Sequence, residues 1–257
     1  MDMRGKRIVV TGASAGLGLA LTKRLIKAGA HVVGVSRNPA NLKEMFGDKI
    51  HTIACDVSVQ REVDAMLAEA EQHLGGIDIF VANAGFAYYG PLGQPDWPKI
   101  EKIFSTNVFS PIYTLQKLTQ NRTEPLTFMI TISGLGKMVL PGFSLYNSTK
   151  FALDAFVRTY RMEKPGHVKI IPVYPVATLT NFFRKAGGDD TPIPFPWHPA
   201  SYVAFCMEWG LRLGLRSVYP SIIFIIRCIL VRVLPVDWLV QRVEILRFRA
   251  WRKRHQE

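Results

Sequence analysis

The sequence predicts a single-domain α/β fold, in which helices cover both faces of a doubly wound parallel sheet and a helical extension follows at the C-terminus. Two observations predict it: short apolar runs alternate with helical patterns over roughly the first 180 residues, and a glycine-rich turn follows the first run. Such alternation is typical of βαβ units, whose strands are apolar throughout because both faces of the sheet are buried. A chain of 257 residues is long enough for one domain with a large core.

The elements are predicted from the apolar runs and from the residues that end them. Short apolar runs are predicted as strands at 6–11, 31–36, 50–55, 77–81, 126–132 and 168–173. Segments with apolar residues at helical spacing are predicted as helices at 17–28, 41–46, 60–73, 98–119 and 143–160. Gly29 ends the first helix, and Gly75 with Gly76 ends the third, because glycine readily adopts the conformation that follows a helix.

The segment Thr11–Gly18, TGASAGLG, lies between the first strand and the first helix. Glycines let the backbone approach a pyrophosphate closely, and a helix N-terminus supplies unpaired N–H groups with partial positive charge. Because the turn follows a buried strand, it predicts a Rossmann-type dinucleotide site. The candidate cofactor residues of this turn are Thr11, Gly12, Ser14, Ala15, Gly16, Leu17 and Gly18.

The end of the second strand, Ser36 and Arg37, indicates which dinucleotide is bound. An acidic residue here holds the ribose hydroxyls of NAD, whereas an arginine accommodates the 2′-phosphate of NADP. No carboxylate follows until Glu44. We therefore expect NADP(H) to be preferred over NAD(H), the alternative being an arginine that faces solvent in a turn.

Tyr146 and Lys150, in the segment YNSTK, lie on one face of a predicted helix. A lysine ammonium beside a phenol favours the phenolate, so we expect a lowered tyrosine pKa and a usable general acid or base. Ser133 lies just past the fifth strand, where its hydroxyl can bond a substrate oxygen as charge develops there. Surface residues of an amphipathic helix would give the same Tyr–Lys spacing, but the combination with Ser133 and the glycine-rich turn favours catalysis.

Taken in order, these motifs resemble the short-chain dehydrogenase/reductase family over residues 6 to about 182. The resemblance rests on Thr11–Gly18, Asp56, Asn83-Ala84-Gly85, Asn107, Ser133, Tyr146, Lys150 and Pro175–Thr180. It implies that Tyr146 donates the proton in reduction, Ser133 orients the carbonyl, and Lys150 also holds the nicotinamide ribose. It further implies that Asn107, the fourth member of this catalytic set, positions a water molecule in the proton relay.

The resemblance also implies the remaining cofactor contacts. They come from Asp56, Val57, Asn83, Ala84, Gly85, Pro175, Val176, Thr178 and Thr180. Asp56 and Val57 would flank the adenine, and Thr180 would contact the carboxamide side of the nicotinamide. Two positions depart from the usual family pattern: Val176 replaces the glycine that follows proline, and Gly134 replaces the second serine.

The alternating pattern breaks after about residue 180. We therefore divide the chain into a Rossmann-type catalytic core at 1–186, a substrate loop with short helices at 187–218, and an apolar and basic helical extension at 219–257. The segment 187–199 is rich in glycine and proline, which indicates either a mobile lid or an ordinary surface connection. A roof over the site would come from Phe182, Phe183, Phe195, Trp197 and Trp209.

The C-terminal extension leaves several interpretations open. The apolar run from Ile222 to Leu234 is interrupted by two arginines and stopped by Pro235, so it is too short and too charged to span a bilayer. The basic segment 242–254 also carries Trp and Phe, which suits an interfacial helix on an anionic membrane. A helix over the substrate site or against another subunit would be equally apolar. Nucleic acid is disfavoured because no recognised motif is present.

The whole composition agrees with an intracellular enzyme. The net charge of +12 points to an anionic partner. Three widely spaced cysteines without metal-ligand spacing indicate reduced thiols and no metal site, and the N-terminus lacks a signal-peptide pattern. We expect a cytoplasmic oxidoreductase, with peripheral membrane attachment as a variant of this view, that interconverts a hydrophobic carbonyl compound and an alcohol. The family resemblance implies a homodimer or homotetramer. The alternatives are a cofactor-binding scaffold without turnover and a membrane-docked interaction protein.

Overall fold

A six-stranded parallel sheet forms the centre of the computed structural model, which describes residues 1–233 and 237–254. Its strands are β1 Arg7–Thr11, β2 His31–Ser36, β3 His51–Ala54, β4 Ile79–Ala82, β5 Leu126–Thr131 and β6 Val168–Val173. They lie in the order β3-β2-β1-β4-β5-β6, and every neighbouring pair is parallel. The predicted doubly wound Rossmann-type fold is therefore confirmed, with the reversal of strand order between β1 and β4.

Helices cover both faces of the sheet. They are α1 Gly16–Lys27, α2 Ala40–Phe46, α3 Gln60–Leu74, α4 Trp97–Phe104, α5 Ser110–Thr119, α6 Ser144–Glu163, α7 Phe182–Gly187, α8 Ala200–Leu213, α9 Ile222–Val233 and α10 Asp237–Arg254. One apolar cluster joins the sheet to α3, α5 and α6, and a second joins the opposite face to α1 and α8. Apart from the edge strand β3, the strands are mostly buried from both sides, which explains their apolar character.

The predicted helix 98–119 consists of three segments. α4 and α5 are separated by a π-helical turn at Ser105–Phe109. Such a turn inserts extra backbone into a helix and is often found at functional sites. Its central residue is Asn107, whose buried amide contacts the loop after β4.

The segment 187–218, predicted to hold a loop and short helices, contains the 14-residue helix α8. Val203, Met207 and Leu211 of α8 are fully buried against the face of the sheet that α1 covers. Arg24 of α1 donates a hydrogen bond of 2.7 Å to Glu208 of α8. This helix is therefore part of the core.

A second, two-stranded sheet lies beyond β6. The strands β7 Ala177–Leu179 and β8 Trp197–Pro199 pair in parallel. The glycine- and proline-rich segment between α7 and β8 is thus attached at its end to the chain that leaves the main sheet. Within the described residues, no helix combines the length and the apolar character needed to cross a bilayer. Pro235, predicted to stop the apolar run, lies outside the described residues.

Candidate active site

A cleft with a volume of about 1360 Å³ opens at the carboxyl ends of the strands. The loops after all six strands of the main sheet contribute to its walls, as expected for a ligand site of an open parallel sheet. The predicted site residues that line it are Gly12, Ser14, Ala15, Gly16, Leu17, Gly18, Ser36, Arg37, Asp56, Val57, Asn83, Ala84, Gly85, Ser133, Tyr146, Lys150, Pro175, Val176, Thr178 and Thr180. Thr11 and Asn107 are not among the lining residues and act from behind the wall.

The glycine-rich turn leaves space that a side chain would fill. Gly12 has a φ of +67°, and a Cβ atom there would come within 3.0 Å of the Ala84 Cα. Gly16, with a φ of +54°, begins α1 and faces Thr180 across the cleft. The exposed N-terminus of α1 together with this close backbone approach fits a pyrophosphate.

Thr11 and Asn83 connect β1 to β4 at the point where the strand order reverses. The Thr11 hydroxyl accepts hydrogen bonds from the backbone N–H groups of Asn83 at 3.0 Å and Ala84 at 3.1 Å. The Asn83 amide donates to the Thr11 carbonyl at 3.1 Å. Thr11 thus positions the loop that carries Asn83 and Ala84, which is a different task from the predicted contact with the cofactor.

The adenosine end of the cleft is electropositive. Arg37, which follows β2, and Lys102 of α4 both line it, together with Asp56, which follows β3. Burial would raise the pKa of Asp56, but hydrogen bonds from Ser58 and the charges of Arg37 and Lys102 hold that pKa below its ordinary value. The Ser36 hydroxyl is buried and has no hydrogen-bond partner in the described part of the chain. A buried hydroxyl that is free to donate a hydrogen bond, next in sequence to an arginine, fits a ribose that carries a phosphate.

Ser133, Tyr146 and Lys150 converge at the middle of the cleft. Tyr146 and Lys150 lie one turn apart on α6, and the Lys150 Nζ is 5.4 Å from the centroid of the tyrosine ring. The Lys150 Nζ donates a hydrogen bond of 3.0 Å to the Thr131 carbonyl at the end of β5. The side chains predicted to carry the chemistry are therefore adjacent, on an element fixed to the sheet.

The pKa of Tyr146 differs from the sequence-based expectation. Burial raises it to about 12, although a hydrogen bond with Ser133 lowers it in part. Burial also lowers the pKa of Lys150 to about 7. The predicted lowering of the tyrosine pKa by the lysine is wrong for this arrangement, because removal from water dominates and the lowering contribution comes from the Ser133 hydrogen bond.

Ser133 is held in an unusual backbone conformation, with a φ of +139°. Its hydroxyl accepts a hydrogen bond from the Leu135 N–H at 3.1 Å, and the next residue, Gly134, donates to the Pro175 carbonyl at 2.7 Å. A non-glycine residue at positive φ is costly and is kept where the surroundings fix it, frequently at functional sites. These bonds direct the serine hydroxyl toward Tyr146.

Asn107 supports the site from the π-helical turn. Its amide donates to the Phe86 carbonyl at 2.9 Å and to the Thr149 hydroxyl at 3.2 Å, and its oxygen accepts from the Phe86 N–H at 3.1 Å. A Cβ atom on Gly85 would lie 3.1 Å from the Asn107 oxygen and 3.8 Å from the Lys150 Nζ. Asn107 therefore joins the loop after β4 to α6 directly behind Lys150.

The substrate end of the cleft is apolar. Of the predicted roof, Phe182, Phe183 and Phe195 line the cleft. Trp197 and Trp209 do not line it and are about half exposed, because β8 and α8 turn them outward. Six further apolar residues line this end without a sequence pattern that marks them as wall residues: Met138, Leu140, Phe143, Ile223, Phe224 and Val243.

The C-terminal helices cover this end. Phe224 of α9 is buried against Gly134, and Val243 and Arg247 of α10 line the cleft. Trp251 of α10 meets Tyr89 edge-to-face, with ring centroids 4.8 Å apart. Of the alternatives left open by the sequence, the helix over the substrate site is the arrangement observed. The apolar run predicted this segment of the chain, but it did not indicate that Phe224 is the residue that turns inward.

Known proteins similar to this chain in sequence or fold are dehydrogenases and reductases. The family model described as short chain dehydrogenase matches residues 6–190. A fatty acyl-CoA reductase of Mycobacterium tuberculosis is 32% identical in an alignment of 175 positions, which covers 63% of this chain and only 59% of that relative. A farnesol dehydrogenase of Aedes aegypti is 31% identical over 198 residues, covering 71% of this chain and 81% of the relative. The structure of an alcohol dehydrogenase from Thermococcus sibiricus, complexed with 5-hydroxy-NADP, matches with a TM-score of 0.73 at 24% identity, over 84% of this chain and 95% of that one.

Proposed function

The chain belongs to the short chain dehydrogenase family, and on this premise we propose that it interconverts an apolar carbonyl compound and a secondary alcohol with NADP(H). The observation that carries the proposal is the convergence of Ser133, Tyr146 and Lys150 in a cleft that begins at the glycine-rich turn. Family membership alone indicates an oxidoreductase. The three side chains supply the acid, the oxygen-binding hydroxyl and the cation that a carbonyl reduction requires.

When bound, the nicotinamide supplies a hydride to the carbonyl carbon in the reductive direction. The Ser133 hydroxyl donates a hydrogen bond to the carbonyl oxygen, on which negative charge develops. Tyr146, protonated at neutral pH because burial raises its pKa, donates the phenolic proton to that oxygen and completes the alcohol. Lys150, in its protonated form, stabilises the resulting phenolate, and its Nζ lies 5.4 Å from the centroid of the tyrosine ring. Because burial lowers the pKa of Lys150 to about 7, this form is present at and below neutral pH, and the same group would hold the ribose hydroxyls of the bound cofactor. In the oxidative direction each proton moves the opposite way.

The preference for NADP(H) is argued from the adenosine end. Arg37 follows β2 directly, and it is preceded by Ser36, whose buried hydroxyl has no hydrogen-bond partner among the described residues. A guanidinium and a hydroxyl donor suit a 2′-phosphate, whereas the ribose diol of NAD calls for a carboxylate at this place. Lys102 adds a second positive charge to the same region of the cleft.

The proposed substrate class rests on the apolar residues that line the substrate end of the cleft. Phe143, Phe182, Phe183 and Phe224 surround the space in front of Tyr146. Such a wall excludes water from the reacting carbonyl and gains free energy from burying a long or polycyclic apolar group. Two relatives carry names that refer to long apolar chains, fatty acyl-CoA reductase and farnesol dehydrogenase. We therefore propose a lipid-like or steroid-like carbonyl substrate.

The test follows NADPH oxidation at the nicotinamide absorbance with a panel of apolar and small polar ketones. Turnover with apolar ketones that is lost in Tyr146→Phe, while NADPH still binds the variant, is the expected result. Tyr146→Phe is the variant of choice because it removes only the acidic hydroxyl and keeps the buried ring. Faster turnover of the small polar ketones overturns the substrate class. Full turnover in Tyr146→Phe overturns the mechanism, and NADPH binding without turnover on any ketone favours the cofactor-binding scaffold.

A further inference from the structure

The outer side of α9 is an unbroken apolar surface. Phe224 of the same helix points inward and is buried. The exposed apolar side chains, between 36% and 72% accessible, are Ile222, Ile223, Ile225, Ile226, Ile229 and Leu230. At 100° per residue these six positions fill one continuous arc of about 160°, which we call the isoleucine face. Monomeric soluble proteins rarely expose a contiguous apolar surface of this kind without a binding role.

The inner side of α9 is a wall of the cleft. Ile223, Phe224 and Arg227 line it, and Phe224 packs against Gly134 beside the proposed catalytic serine. Ile223, at the edge of the isoleucine face, is thus also a wall residue, so the face reaches the rim of the substrate space. Whatever covers the isoleucine face lies at the rim of the substrate end.

The C-terminal segment that carries the isoleucine face is basic in sequence. From residue 219 onward the sequence has eight arginine and lysine residues against three aspartate and glutamate residues. Arg242, Arg249 and Lys253 are exposed along one side of α10, next to the exposed Leu246. Apolar side chains flanked by Arg and Lys match the boundary between acyl chains and anionic headgroups. A second copy fits less well, because a symmetric pairing through this region would bring the two sets of cations together.

We propose that α9 and α10 dock the protein on an anionic lipid surface, with the isoleucine face in the bilayer boundary. In this orientation the substrate end of the cleft opens toward the lipid, so that an apolar carbonyl compound enters past α9 without crossing water. The entry route rests on the proposed function, whereas the docking itself does not. The two parts are therefore tested by separate measurements.

Docking is measured by flotation of the full chain with vesicles. The wild type is mixed with phosphatidylcholine vesicles that contain phosphatidylglycerol, and in parallel with phosphatidylcholine vesicles alone. Ile226→Glu and Ile229→Glu place a carboxylate on the isoleucine face, and neither residue lines the cleft. Met162→Glu is the matched control, because Met162 is an exposed apolar residue at the far end of α6, next to the amino end of β6.

The wild type is expected to float with the anionic vesicles and much less with phosphatidylcholine alone. Each isoleucine substitution lowers the partition coefficient by about tenfold or more, since it removes apolar contact and adds a repelled charge. Met162→Glu floats like the wild type. Thermal melting followed by circular dichroism verifies that all variants are folded. The proposal is overturned if the wild type stays with the unbound protein, or if the isoleucine variants float as well as it does.

Two further measurements separate the alternatives. Sedimentation velocity without lipid tests the second copy: a dimer that Ile229→Glu dissociates, with no flotation of the wild type, assigns the isoleucine face to self-association. Reduction of a long-chain ketone embedded in the anionic vesicles, compared with a small soluble ketone, tests the entry route. Ile229→Glu is expected to slow the embedded substrate at least tenfold and leave the soluble one unchanged. Equal rates for both substrates contradict the entry route, and absence of any reduction contradicts the proposed function while the flotation result stands.

Discussion

Phe224 of α9 packs against Gly134, where a Cβ atom would come within 3.3 Å of the phenylalanine ring. Gly134 directly follows Ser133, so the C-terminal helix touches the backbone beside the proposed catalytic hydroxyl. The departure from a second serine at this position thus makes room for α9. The relationship predicts that the two residues are energetically coupled.

Gly134→Ala is expected to destabilise the protein by about 1 kcal/mol, because the new methyl group crowds the ring. In a Phe224→Leu background the same substitution costs less, since the smaller side chain yields the space. The free energies of unfolding of the two single variants and the double variant measure the coupling. An equal cost of Gly134→Ala in both backgrounds contradicts it.

Ser133→Ala is expected to lower kcat/KM about 100-fold or more, because one hydrogen bond to the developing oxyanion is lost. NADPH affinity changes little, since Ser133 faces the substrate oxygen. Steady-state kinetics and a fluorescence titration of NADPH measure the two quantities. Serine-to-alanine substitution at Ser148, exposed on the same region of α6, serves as the control and keeps full activity.

Arg37→Asp is expected to reverse the cofactor preference. Loss of the guanidinium removes a charge-assisted hydrogen bond to the 2′-phosphate. The kcat/KM with NADPH divided by that with NADH should therefore fall by about 10- to 100-fold. Lys49→Asp makes the same change of charge at an exposed position outside the cleft and controls for the net charge. An unchanged ratio in Arg37→Asp assigns Arg37 to the solvent-facing turn.

The burial of Lys150 makes the free energy of unfolding depend on pH. Burial lowers its pKa in the folded protein to about 7, below its ordinary value of 10.5. Between these values the unfolded chain binds a proton that the folded chain does not, so the free energy of unfolding rises with pH in this window. Between pH 7 and 9 the wild type should gain on the order of 2 kcal/mol relative to Lys150→Met. Chemical denaturation of both proteins in the cofactor-free form measures the difference, and parallel pH profiles refute the assignment.

Asp154 is a buried carboxylate near α9 that joins two cations, of which Arg158 is exposed. Its carboxylate contacts Lys137 at 2.7 Å and Arg158 at 2.8 Å, and it accepts a hydrogen bond from the Tyr174 hydroxyl at 2.7 Å. Asp154→Asn leaves these cations partly unpaired, so we expect a loss of about 3 kcal/mol in the free energy of unfolding. Asp189→Asn, in an exposed pair with Arg184, controls for the loss of one carboxylate and should cost less than about 0.5 kcal/mol. Similar losses in both variants contradict a structural role for Asp154.

Local patterns were sufficient to predict the sheet and most of the cleft. Buried parallel strands read as apolar runs, and the turn Thr11–Gly18 is recognisable because glycine is required where the backbone meets Ala84. The π-helical turn around Asn107 was not predicted, because one inserted residue hardly disturbs an apolar pattern. The inward position of Phe224 was not predicted, because it depends on the space that Gly134 leaves in a distant segment. The predicted direction of the Tyr146 pKa shift was wrong, because the extent of burial depends on the whole fold. The predicted homodimer or homotetramer stays a prediction.

The strand order β3-β2-β1-β4-β5-β6 has a consequence for how this protein can change. Arg37, the residue proposed to select the dinucleotide, follows a strand on one side of the β1–β4 junction. Residues that bear on the substrate, from Ser133 to the C-terminal helices, follow strands on the other side. Between them stands the small Thr11–Asn83 hydrogen-bonded junction. The proposed determinants of the two specificities thus lie mostly in different parts of the chain, and we expect a chimera exchanged between α5 and β5, which keeps both Arg37 and Lys102, to acquire a new substrate while it retains its dinucleotide.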